Sequence, residues 1–228
     1  MKIRLTFVWK LTLILCLLSA VLLASVGWMA YFNGRNSLRA SVTAELISIT
    51  FEKQNALTTW INERRTGVVA LASDNHIMKT TAALVAAETN LLDAAATREN
   101  LNQELLYHLS LLEKYGEVYI LHPESGVVLV STDPTAAGQD RGGLPYFNAG
   151  RSGTHLQLPF INPMTGQPDM AIATPILSPR QTVTGDPELA AIMVARLDLN
   201  ELNAIVQRRT GFFASDDAFL IGKSYRVV

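Results

Sequence analysis

The feature that most limits what this chain can become is an uncharged apolar run over residues 11–32. A hydrocarbon core of ~30 Å is crossed by about 20 apolar residues in helical form. A helix satisfies its own backbone donors and acceptors where water cannot. The run therefore predicts one spanning helix, with Trp9 at one end and Trp28, Tyr31 and Phe32 at the other, where interfacial aromatics belong. Lys2, Arg4 and Lys10 precede the run and Arg35 and Arg39 follow it. With the free amine, the positive-inside bias places residues 1–10 in the cytoplasm and the bulk of the chain outside. The alternative is a cleaved signal peptide, whose apolar region is shorter, about 7–15 residues.

Charge and side-chain chemistry exclude several function classes. Lys+Arg number 19 and Asp+Glu 20, so no basic excess exists to neutralise a phosphate backbone, and no nucleic-acid partner is expected. Cys16, the only cysteine, falls inside the apolar run, which leaves the remainder without a disulfide framework or thiolate metal site. His76, His108, His122 and His155 are scattered without ligand spacing, and no serine elbow or phosphate-cradling glycine loop occurs. The expectation is no enzyme, no metal and no cofactor.

Residues 36–72 lack proline and place Leu38, Val42, Leu46, Ile49, Leu57, Trp60, Ile61, Val68 and Leu71 at helical spacing, which predicts one long helix. Asp74 and Asn75 offer a cap. A second helical region covers residues 77–114, with a break near 90–93 and a stripe of Leu101, Leu105, Leu109 and Leu112. The heptad is not sustained, so helices packed along a sheet are expected rather than a coiled coil. After Gly116 the period becomes two. Residues 117–122 and 127–132 read as strands joined by a turn of Pro123, Glu124, Ser125 and Gly126. A short helix near 146–150, strands over 170–176 and 189–197, a helix over 200–208 and a strand start at 218–221 complete the order. Pro175 is expected at a strand end. The fold class is α+β: long helices first, then an antiparallel sheet with short helices.

The run Trp60-Ile61-Asn62-Glu63-Arg64-Arg65, then Val118-Tyr119-Ile120-Leu121, the segment from Gly126 to Asp133, Leu144-Pro145-Tyr146-Phe147, the segment from Gly166 to Ile176, and Arg209-Thr210-Gly211 follow one another in an order that resembles the double Cache family of extracytoplasmic sensors. The resemblance implies a bacterial inner-membrane receptor, closest to a sensor histidine kinase, with a PAS-like membrane-distal lobe on long stalk helices. The expected map is a cytoplasmic N-terminus over 1–10, a transmembrane helix over 11–32, stalk and long helices over 33–114, the PAS-like lobe over 115–210, and the start of a truncated proximal lobe over 211–228. Weak packing is expected after Gly211. The chain would sense a small molecule outside the membrane and pair as a homodimer through its stalk helices. A non-binding dimerisation module, or a secreted solute-binding protein after signal cleavage, is the alternative.

The same resemblance points to a ligand held between the sheet and the loop carrying Tyr146 and Phe147, whose aromatic faces supply contact area. Both rings packing the core is the plainer reading. Amino-acid-binding members carry an arginine two residues before the first aromatic and an aspartate on a late strand. Leu144 and Arg196 stand at those places here. A like charge at Arg196 disfavours a ligand ammonium, whereas an anion gains a bidentate partner. A small carboxylate is therefore the expected ligand, with Arg196, Arg141, Tyr146 and Tyr119 as its first contacts and Phe147 and Asp169 beside them. The plainer readings pair Arg196 with Asp198, two along the strand, leave Arg141 solvated in its glycine-rich loop, and make Asp169 a turn residue.

Overall fold

The computed structural model describes residues 7–87, 91–112, 115–181 and 187–207. The chain divides into two compact units, Met1–Gln54 and Asn55–Val228. Helix α1, Phe7–Ala72, runs through both. The expected spanning segment and the expected helix over 36–72 are thus one element, because nothing between them breaks a helix: no proline occurs in this range.

In the first unit, the apolar side chains from Trp9 to Phe32 are exposed, Leu23 by 74%. This is a helix long and apolar enough to cross a membrane. Its hydroxyls turn inward on the backbone: Thr12, Ser19 and Ser25 donate to the carbonyls of Trp9, Cys16 and Leu22 at 3.2, 2.9 and 2.8 Å. A lipid-facing hydroxyl satisfied within its own helix adds little cost to insertion.

In the second unit α1 ends where Ser73 N–H donates to Val69 O at 3.0 Å. Asp74 then caps α2, Asn75–Ala86, its carboxylate accepting from His76 N–H at 2.7 Å and Ile77 N–H at 3.2 Å. Helix α3 covers Leu91–Leu112, so residues 91–93 of the expected break are helical, and its residue 90 lies outside the described residues. Strands β1, Tyr115–Leu121, β2, Val128–Ser131, β3, His155–Ile161, β4, Pro168–Gln181, and β5, Pro187–Leu197, form an antiparallel five-stranded sheet in the order β2-β1-β5-β4-β3. Helix α4 is Pro145–Ser152 and α5 is Leu199–Gln207.

The sheet has two apolar faces, and the alternation of strand side chains sorts residues between them. On one, Val118 and Ile120 of β1, Ile172 and Ile176 of β4, and Met193 and Ala195 of β5 pack with Trp60, Val68, Ile77, Leu84, Leu101 and Leu105 from the helices. On the other, Tyr119, Leu121, Ala171, Ala173, Ile192 and Val194 pack with Leu144, Tyr146 and Phe147. Helices packed along a sheet are therefore what the broken heptad signified. The turn between β1 and β2 closes as expected: His122 N–H donates to Val127 O at 2.8 Å, and Gly126, at φ 72°, lies directly against Gly142 where a side chain has no room.

The structure corrects the sequence reading at several places. Strand β3 was not anticipated; Pro159 and half-buried side chains along it obscure its alternation. Pro175 lies inside β4, opposite Ile192, rather than at a strand end. Pairing with β3 stops at His155 and Ala173, so one edge of β4 is open beyond that point, and an open edge tolerates the missing donor. The strand expected at 218–221 and the weak packing expected after Gly211 lie outside the described residues.

Candidate functional site

Strand register brings charged residues together on the face that carries α4. Glu117 of β1 lies opposite Arg196 of β5, and Arg196 lies opposite Ala171 of β4. Asp169, two residues along β4, shares the face of Ala171. A bulge sets this arrangement: Tyr115 pairs with Leu197 while Glu117 pairs with Arg196. One extra residue on β1 thus sends Tyr115 to the helical face and Glu117 to the opposite one.

Glu117 is the hub. Its Oε1 accepts from Ser131 Oγ at 2.8 Å and Arg141 Nη1 at 3.0 Å, and its Oε2 accepts from Arg196 Nη1 at 3.0 Å. Arg196 Nε donates to Asp169 Oδ1 at 3.1 Å, and Asn162 Nδ2 donates to Asp169 Oδ2 at 3.0 Å. Arg141 Nη2 reaches Gln139 Oε1 at 3.3 Å, and the guanidinium lies over the Tyr119 ring, 4.3 Å from its centroid. Two arginines thus meet two carboxylates, and the charges balance. Buried ions need such partners, since desolvation outweighs a single poor contact. The side chains of Glu117 and Asp169 are 4% and 2% exposed, that of Arg141 10%, and that of Arg196 32%. Arg196 is the member of the cluster that water reaches.

Tyr119 and Tyr146 share a hydrogen bond through their hydroxyls and are fully buried. Burial pushes the Tyr146 hydroxyl up to about 12 and that of Tyr119 up as well, so both are neutral near pH 7. Burial opposes the charge of Arg196, but the hydrogen bond to Glu117 and the field of Asp169 outweigh it and hold the guanidinium charged.

Of the residues singled out in the sequence, Tyr119, Arg141, Tyr146, Asp169 and Arg196 meet in this one cluster. Phe147 does not; it is 5% exposed among apolar neighbours, which is the core-packing role. Arg141 is not a solvated loop charge. Asp169 is not a turn residue but a buried member of β4. Arg196 does not pair with Asp198: β5 ends at Leu197, and Asp198 instead accepts from Asn200 N–H at 2.8 Å at the start of α5. Glu117, Ser131, Asn162 and Gln139 were missed. Glu117 had a visible signal, a lone acid two residues from Tyr119 in an apolar strand. Asn162 had none, because β3 itself was not legible.

Chemically the cluster is a charge-balanced network with one partly exposed guanidinium, that of Arg196, backed by fixed charges.

No family model and no curated protein matches the sequence. Among solved structures, the chain is similar to the sensor domain of the V. cholerae histidine kinase DctB, at 14% identity and a TM-score of 0.58, over 73% of this chain and 60% of that one. It is also similar to the ligand-binding domain of the Campylobacter jejuni chemoreceptor Tlp3 in complex with 4-methylisoleucine, at 12% identity and a TM-score of 0.56, over 79% of this chain and 66% of that one. The chain thus spans less than two thirds of the length of either. The fold is similar to that of these two receptor domains, an α+β arrangement with a PAS-like antiparallel sheet.

Proposed function

We propose that this chain is the extracytoplasmic small-molecule-sensing part of a membrane-bound signal-transduction receptor, not an enzyme, and that its ligand is an anion such as a small carboxylate. The fold supports sensing, and the apolar segment of α1 supports a single membrane pass. Residues 1–10 lie in the cytoplasm of a bacterial cell, residues 11–32 cross its inner membrane, and the rest faces outward, with residues 33–114 as stalk and long helices, 115–210 as the sensing lobe and 211–228 opening a second lobe. The receptor pairs as a homodimer along its stalk helices and passes its signal to a histidine kinase output.

The observation that carries the anionic reading is Arg196. Its Nε and Nη1 are held by Asp169 and Glu117, while Nη2 makes no bond among the described residues and the side chain is 32% exposed. A guanidinium fixed on two sides and open on the third is pre-organised for a carboxylate or other oxyanion. Arg141, Tyr119 and Tyr146 lie buried behind it, Asp169 holds its Nε, and Phe147 packs the apolar layer beside Tyr146.

Thermal-shift screening of the full chain in nanodiscs against carboxylates, amino acids, amines and sugars tests this. A saturable carboxylate hit that Arg196→Ala weakens at least tenfold, the equivalent of about 1.4 kcal/mol, is the expected result. A second reading, a structural module without a ligand, draws on the same cluster, since both guanidiniums already have carboxylate partners. No hit on a folded sample would favour it, and an amino-acid or amine hit insensitive to Arg196→Ala would overturn the anionic reading.

A further inference from the structure

A second buried cation, on the opposite face of the sheet, belongs to none of the roles above. Arg64 of α1 is 2% exposed. Its Nη2 forms an ion pair with Glu201 of α5, 137 residues away. Its guanidinium carbon lies 5.4 Å from the Trp60 ring centroid and 5.9 Å from that of Tyr115. Its Nε makes no hydrogen bond, so Glu201 and the two rings are what offset its charge. The backbone of the same residue is engaged as well: the Tyr115 hydroxyl donates to Arg64 O at 2.8 Å. A Cβ on Gly67 would come within 2.5 Å of that hydroxyl, so the absence of a side chain one turn on is what admits it.

These contacts connect to the candidate site along two short covalent paths. Tyr115 is two residues from Glu117, across the bulge that separates their faces. Glu201 is five residues from Arg196, with β5 ending and α5 beginning between them. The two site residues that are hydrogen-bonded to each other, Glu117 and Arg196, thus stand at the roots of the two segments that grip Arg64. We propose that Arg64 is the coupling residue of the receptor: displacement of Arg196 relative to Glu117 shifts Tyr115 and Glu201 together, and α1 receives both movements at one position. As a route for a signal this rests on the sensing reading above, but the mechanical link is separable from any ligand. A link of this kind is physical only where an element with two arrangements is biased from both ends, and in this proposal that role falls to the bulge with its flanking strand end, which hydrogen exchange tests.

The test uses the full chain in nanodiscs and hydrogen exchange, with Arg196→Ala as the input in place of a ligand. Amides of 64–72 in α1 are expected to exchange roughly three- to thirtyfold faster than in the parent protein, the range of measured long-range couplings, while those of α2, on the same face, stay within about twofold. In a Tyr115→Phe background, which removes only a hydroxyl, and separately in Glu201→Gln, whose parent side chain is 43% exposed, the added effect of Arg196→Ala on α1 is expected to fall below about twofold. Equal acceleration of α1 and α2 would be general destabilisation and would overturn the proposal. So would an undiminished effect in both backgrounds, or no effect of Arg196→Ala at all. Failure of the ligand screen leaves each of these outcomes unchanged, so the two readings fail separately.

Discussion

Replacing Glu117 by alanine tests whether the cluster is held together as its geometry implies. The carboxylate accepts bonds from Ser131, Arg141 and Arg196, and its loss leaves Arg196 with Asp169 and Arg141 with no carboxylate bonded to it, Asp133 acting on both only through its field. Arg141 retains only Gln139 and the Tyr119 ring, neither of which carries a charge at neutral pH. Removing one partner of a buried pair costs roughly 3–5 kcal/mol, because the remaining charge stays desolvated. A domain of this size loses roughly 2–4 °C of Tm per kcal/mol, so the expected fall is roughly 6–20 °C. Glu124→Ala, at an exposed turn position, is the control and should stay within about 0.5 kcal/mol. The space vacated by Glu117 has the chemistry of a carboxylate site. Formate should therefore restore part of the lost stability in the variant and do little for the parent protein. Scanning fluorimetry of the full chain in nanodiscs, with sodium chloride matching ionic strength, reads both effects. A loss below about 1 kcal/mol, or formate no better than chloride, would refute the argument that Glu117 neutralises both arginines.

Gly67→Ala should destabilise by roughly 1–3 kcal/mol through overpacking against the Tyr115 hydroxyl; Tyr115→Phe should recover most of it in denaturant titration, since the close contact is with that oxygen. Tyr146 ionises near 10 when unfolded and at about 12 in the fold, so above pH 10 the unfolded chain binds fewer protons than the native one, and this group alone lowers stability by about 1.4 kcal/mol per pH unit until pH 12. Burial raises Tyr119 and Tyr115 in the same direction, so chemical denaturation between pH 9 and 12 should show a fall at least this steep, and Tyr146→Phe should make it shallower. Asp74→Ala should cost about 1 kcal/mol, the worth of an N-cap with its two backbone donors, seen as faster amide exchange at His76 and Ile77.

Elements were legible wherever burial left a mark on composition or period. The stripe of α3 follows from burial on one face, β1 and β5 are apolar runs buried on both faces of the sheet, and the spanning run is marked by its uncharged length. What the sequence withheld was register. Whether Arg196 meets Asp198 along its own strand or Glu117 across to the next depends on where β5 stops and on one unpaired residue in β1, and neither leaves a compositional mark. Strand β3 was hidden for a different reason: Gln157 and Pro159 interrupt it, and its side chains are only half-buried, so neither face selects strongly for apolar residues. Asn162, just beyond its end, went unnoticed with it.

The bulge on β1 makes the length of that segment as consequential as its composition. Deleting Gly116 would leave every side chain chemically unchanged, yet it would invert the parity of whatever lies on one side of the cut. Either Tyr115 would turn toward Arg196 and away from Arg64, or the strand beyond would carry Glu117 into the apolar layer beneath the helices. A substitution scan would assign Gly116 little importance, since a Cβ there lies 3.9 Å from its nearest neighbour, Arg196 O. Comparison of related chains by residue identity would pass over the position in the same way. It is gain or loss of one residue between positions 115 and 117 that would separate chains able to join the two faces of this sheet from chains that merely fold.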